Sequence, residues 1–169
     1  GRQDFPLGNG MVFLEGTPYD QGRTIYFDGV SAVMTKEKDT LKLFAFYNDY
    51  KDKTVFIDDQ NRALRRGDIF TPGIYWTHNF NAKLNTDLYY IYAEVTDHTD
   101  TVGGDADAKI HTAGARVFGP LHEQVDYSIE YAKQAGKYDQ AKDIDITGDL
   151  LDARLTFKAP TDTLWSPSV

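Results

Sequence analysis

The 169-residue sequence contains no cysteine. Disulfides, thiolate zinc sites and a cysteine nucleophile are thereby excluded, while the redox compartment stays open. Long apolar runs are missing as well. Nothing approaches the ~18 consecutive apolar residues of a spanning helix, which excludes a helical membrane protein. Positive charge is scarce, with 18 Lys and Arg against 26 Asp and Glu, a formal charge of −8 and a pI of about 4.9. That balance argues against a nucleic-acid partner, whose phosphates demand a basic surface.

Signatures of catalysis are equally thin. His78, His98, His111 and His122 have no metal-ligand spacing. Asp126 and Glu130 share a strand face, but four residues of strand span about 13 Å, too far for a retaining carboxylate pair at ~5.5 Å. The acidic stretch 97–107 lacks the positions of a calcium loop and reads as a solvated loop. Gly8-Asn9-Gly10 lacks the Lys-Ser/Thr and helix of a phosphate loop and reads as a bulge or tight turn. Neither an enzymatic step nor a cofactor or metal is expected.

What the chain does have is aromatic and strand-forming. Tyr numbers 11, Phe 10 and Gly 14; hydrophobic residues make up 41%, charged residues 26%, and the mean hydropathy is −0.50. Strict alternation appears in 125–131, where Val125, Tyr127, Ile129 and Tyr131 oppose Asp126, Ser128 and Glu130. The same period sets Leu41, Leu43, Ala45 and Tyr47 against Lys42, Phe44, Phe46 and Asn48. It also sets Leu151, Ala153, Leu155 and Phe157 against Asp152, Arg154 and Thr156, and Ala113, Ala115 and Val117 against Thr112, Gly114, Arg116 and Phe118. Further strands are expected at 27–35, 73–80 and 87–95, with a weaker one at 2–14, making about eight. A helix over 127–142 is opposed by Gly136 and by the upstream alternation.

Connections alternate in length. Short turns are expected at 36–40, 81–86 and 119–124, and long polar stretches at 15–26, 50–71, 96–110 and 134–144. Tight turns at one end and long loops at the other are the plan of outer-membrane barrels. Rings such as Tyr47, Tyr50, Tyr75, Trp76, Tyr89, Tyr90, Tyr92, Tyr127, Tyr131 and Trp165 suit headgroup depth in such a wall, or equally an aromatic core. The expected fold is therefore all-β, an antiparallel up-and-down transmembrane β-barrel, as one partial domain over 1–169. As a fragment it could form an open curved sheet. The rival is a soluble, secreted β-sandwich or small barrel that binds carbohydrate on an aromatic surface carrying Trp76 or Tyr89. It requires the apolar faces to converge on a dry core, whereas the membrane wall leaves them exposed as a band. A plugged barrel working through its loops is a third reading.

Short motifs add a resemblance. "GRQDFPLGNG", "GTPYDQGRTIYFDGV", "LFAFYN", "DLYYIYAEV", "HTAGARVFG" and "VDYSIEYAKQAGKY" stand in the order and rough spacing of the alginate export family of bacterial outer-membrane β-barrels. The resemblance covers nearly the whole chain and implies a larger barrel, of which this is an internal portion lacking N-terminal and C-terminal strands. It also implies an outer-membrane location, the lipid bilayer as partner, and passive export of an anionic polysaccharide or small anionic solute.

If the apolar faces meet lipid, the opposite faces line the lumen. That places Arg2, Lys42, Arg116, Asp126, Glu130 and Arg154 inside, together with Asp87, and Arg23 at a loop base. The resemblance implies Arg2, Arg116 and Arg154 as lumen arginines, whose planar forks meet carboxylates repeatedly and weakly. Asp126 and Glu130 would orient them. In the plainer reading the same charges form cross-strand ion-pair ladders that only hold register. The basic cluster 61–66 falls in the longest loop.

Overall fold

A computed structural model describes Phe5 and residues 7–10, 28–49, 67–97, 107–138 and 143–158. Within them the alternating segments form seven strands: β1 (Asp28–Lys36), β2 (Asp39–Asn48), β3 (Gly67–Asn81), β4 (Leu84–Asp97), β5 (Ala108–His122), β6 (Val125–Tyr138) and β7 (Ile144–Phe157). Each pairs antiparallel with its sequence neighbour, giving one sheet in the order β1 to β7. The all-β, up-and-down expectation holds at this level. Among the described residues β1 and β7 each pair on one side only, so the sheet is open.

Two-residue turns join β1 to β2, β3 to β4 and β5 to β6, at the three places where short connections are expected. The expected long connections fall between the other strands, but three of them are shorter than read. β3 begins at Gly67, β5 at Ala108, and β6 continues to Tyr138. Alternation breaks at these ends, through Lys133, Gln134 and Lys137 on both faces of β6 and the adjacent apolar pair Ile69 and Phe70 in β3, while the backbone ladder still runs, Lys109 facing Lys137 and Ala108 facing Tyr138. The strand reading of 127–142, preferred over a helix, holds in β6 as far as the segment is described. Of the expected strand 2–14, residues 7–10 form a turn instead; Arg2 and residues 11–14 lie outside the described residues, as do Arg23, Tyr50, the 61–66 cluster, His98 and Trp165.

Register sorts the side chains into two faces. On the outer face Leu43 meets Ile74, Ile74 meets Tyr90, Val117 meets Ile129, and Tyr127 meets Leu155. These residues stay open to the surroundings: Val30 is 73% exposed, Ile74 42% and Leu155 61%. On the inner face Lys42 meets Tyr75, Asp87 meets Arg116, Arg116 meets Glu130, and Glu130 meets Asp152. The buried cluster lies here, built from Phe44, Phe46, Tyr75, Tyr89 and Ile91, and Leu7 completes it.

Glycines let the inner rings lie down. A Cβ at Gly73 would overlap the Phe44 ring, and one at Gly114 would overlap the Tyr89 ring, so each ring covers a glycine on the neighbouring strand. The face is also concave. Strands lie ~4.8 Å apart, so β3 and β7 would be separated by about 19 Å in a flat sheet. Yet the consecutive residues Gly8 and Asn9 bond to Tyr75 of β3 and Asp152 of β7, at 2.9 and 2.8 Å.

Candidate functional site

The inner face of β3 to β7 carries a connected polar network. Asp87 is 1% exposed and is opposed across the sheet by Arg116. Two guanidinium nitrogens, Nε and Nη2, converge on Asp87 Oδ2 at 2.7 Å each. The same carboxylate accepts the Tyr75 hydroxyl at 2.5 Å and the Thr77 hydroxyl at 2.7 Å. Four donors on one buried carboxylate offset its desolvation. The Arg116 guanidinium also lies over the Phe118 ring, 4.0 Å from its centre.

Glu130, likewise 1% exposed, is the second buried acid. Register places it opposite Arg116, but the guanidinium turns to Asp87, and the Glu130 oxygens take other donors. Oε1 accepts the Tyr89 hydroxyl at 2.7 Å, and Oε2 accepts the backbone N–H of Asn9 at 2.7 Å. Beyond it Asp152 pairs with Arg154 Nε at 2.7 Å and accepts the Asn9 amide at 2.8 Å. Asp126 pairs with Lys158 at 2.7 Å, while Lys42 stands 6.0 Å from the rings of Phe5 and Tyr75.

A short segment fills the centre. Gly10 N–H donates to the Leu7 carbonyl at 3.1 Å, closing a turn with Gly8 at φ 59°. Glycine is required at that position twice over, by the left-handed backbone and because a Cβ would fall 2.5 Å from Glu130 Oε1. Asn9 at the tip places its Oδ1 to accept from Arg116 Nη1 at 3.1 Å and from Ser128 Oγ at 2.8 Å. Upstream, Phe5 packs edge-on against Phe44 and Phe46 with ring centres 5.1 Å apart. The turn expected at Gly8-Asn9-Gly10 is thus present, and it sits on the network.

Of the candidate residues, Lys42, Arg116, Asp126, Glu130 and Arg154 lie on this inner face, with Asp87; Arg2 is outside the described residues. Arg116, Glu130 and Arg154 join one network through Asn9 and Asp152, whereas Lys42 and Asp126 stand apart from it. The orienting partners differ from the expected ones: Asp87 holds Arg116, Asp152 holds Arg154, and Asp126 goes to Lys158. Glu130 stands as directly opposite Arg116 as Asp87 does, but its oxygens are taken by Tyr89 and Asn9. Tyr75 and Tyr89 face inward and are buried, so neither belongs to an exposed stacking surface, while Trp76, Tyr90 and Tyr131 face outward. Sequence reasoning missed Asn9, Ser128 and Lys158. Tyr75 and Tyr89 share parity with Asp87, which was a usable signal; nothing local marks Asn9, 121 residues from Glu130.

Among the described residues no group of His, Asp and Glu is placed to hold a metal ion. The strand registers put three bases (Lys42, Arg116, Arg154) and four acids (Asp87, Asp126, Glu130, Asp152) on the inner face, and Lys158, just past β7, pairs with Asp126.

No family model, curated protein or solved structure matches this chain. The likeness to the alginate export family rests on its short motifs alone.

Proposed function

We propose that the chain is wall of an outer-membrane β-barrel that gives hydrophilic solutes passive passage through a charged lumen. The outer face carries this reading. An apolar band crosses all seven strands and stays exposed, including Val30, Leu43, Ile74, Val117, Ile129 and Leu155. In water such a band is an aggregation surface, whereas lipid covers it without cost. Its height fits. On β3 the outward residues from Asp68 to His78 enclose only Phe70, Pro72, Ile74 and Trp76. Ten residues at ~3.4 Å and a tilt of ~40° give about 26 Å, the height of an outer-membrane apolar band.

The band's borders have the polarity of a membrane interface. At the tight-turn end Trp76 Nε1 donates to Asp39 at 2.9 Å and Tyr127 donates to the Lys83 carbonyl at 3.2 Å. At the other end Tyr131 donates to Asp149 at 2.6 Å, and the ion pairs Glu94–Lys109 and Lys133–Asp149 stand at 3.3 and 3.5 Å. Amphipathic rings with their polar tips outward, followed by charge, match headgroup depth.

The concave face supplies the lumen, where charge is tolerated. The resemblance adds an anionic polysaccharide or small anionic solute as permeant, met by Lys42, Arg116 and Arg154 through many weak contacts. The soluble carbohydrate-binding alternative needs a dry core between apolar faces; the exposed band and the buried Tyr89 argue against it.

Planar-bilayer recording tests the proposal. The purified protein is expected to insert and give stepwise current, with ion selectivity that moves toward cations in the Arg154→Glu variant. Absence of insertion and current, together with a monodisperse monomer in detergent-free buffer, refutes it.

A further inference from the structure

We propose that the inner-face network of Glu130, Asp152, Arg116 and Ser128 is a binding site for a neutral saccharide, held closed by the chain's own Leu7–Gly10 turn. The inference rests on the reading of the concave face as solute-facing, and it assigns this one site a neutral ligand in place of the anionic permeant that the resemblance implies. It does not depend on lipid covering the outer face.

The turn is an occupant of the network, since the wall is largely satisfied without it. Arg116 keeps Asp87, Asp87 keeps Tyr75 and Thr77, Asp152 keeps Arg154, and Glu130 keeps Tyr89. Removing the turn frees Glu130 Oε2, one lone pair on Asp152, one N–H of Arg116 and the Ser128 hydroxyl. Ion pairs and stacked rings keep those groups aimed, as a preorganised site requires.

The bonds now made by the turn define what fits. It donates an N–H to Glu130 and an N–H to Asp152, and it accepts from Arg116 and Ser128 on a single oxygen. Adjacent sugar hydroxyls present the same combination, because each hydroxyl both donates and accepts. Beside these polar groups lie Phe44, Phe46 and Tyr75, now covered by Phe5 and Leu7, an apolar wall suited to the C–H face of a pyranose. Charge gives acids no advantage. Around Asn9 stand the acids Asp87, Glu130 and Asp152 and the bases Arg116 and Arg154, and Lys42 beside the ring wall makes the count even, so a uronate would meet no net positive charge and arginines already paired.

The test is isothermal titration of the 169-residue chain folded in detergent micelles, with maltohexaose and with hexamannuronate as probes. Gly8→Val is expected to expel the turn, since a side chain there meets Glu130 and the backbone is left-handed. Asn9→Ala, which adds no atoms, serves if the valine variant does not fold, as judged by circular dichroism. Saturable maltohexaose binding at least tenfold tighter in the variant than in the natural chain, lost again with added Glu130→Gln, supports the proposal. A peptide of residues 2–14 should compete for the opened site. Folded variants that bind no maltohexaose, equal binding with and without the docked turn, or preference for hexamannuronate each overturn it. Current without saccharide binding leaves the porin reading standing and removes this one; binding without current does the reverse.

Discussion

Replacing Arg116 with alanine should expose how the inner wall is held. Asp87 is 1% exposed, and Arg116 supplies two of its four donors. Removing one partner of a buried pair costs about 3–5 kcal/mol, because the remaining charge stays buried. Tyr75 and Thr77 continue to donate at 2.5 and 2.7 Å, which puts the expected loss at the lower end, about 3 kcal/mol. Adding Asp87→Asn removes the stranded charge while keeping a group that Tyr75 and Thr77 can reach. The double variant should therefore lie about 2 kcal/mol above the Arg116→Ala single, a positive coupling within the range for contacting residues. Urea titration of folding into lipid vesicles, with unchanged m, measures both terms. An Arg116→Ala cost below about 1 kcal/mol, or no relief from Asp87→Asn, would show that the pair does not support the wall.

Two further substitutions probe the faces separately. Ile129→Arg on the outer band should cost about 2–4 kcal/mol of folding in vesicles if lipid meets that face; in a water-facing sheet the same change at a 46% exposed position should stay within about 0.5 kcal/mol. Gly114→Leu should lift the Tyr89 ring from the sheet and break its 2.7 Å bond to Glu130. An expected loss of about 1–3 kcal/mol by urea titration should be partly recovered when Tyr89→Ala makes room.

The outer face was legible because outward and inward positions on a strand alternate with a period of two, and Val125 to Tyr131 or Leu151 to Phe157 display that period directly. The inner face was legible in composition only. Parity places Lys42, Asp87, Arg116, Glu130 and Arg154 on it, but partner choice depends on distances between strands. Arg116 stands opposite both Asp87 and Glu130, and its turn toward Asp87 follows from Asn9 and Tyr89 occupying Glu130. Strand length was misread at β3, β5 and β6 where the apolar/polar alternation breaks, since a backbone ladder leaves no mark on the side-chain pattern.

Local chemistry thus determined the strands, the tight turns and the split into an apolar and a polar face, because each follows from neighbouring residues along the chain. Tertiary structure decided the rest. Only curvature across several strands could bring Gly8 and Asn9 within bonding distance of β3, β5, β6 and β7, and only long-range register could set one carboxylate against an arginine and leave the next to a turn more than a hundred residues away.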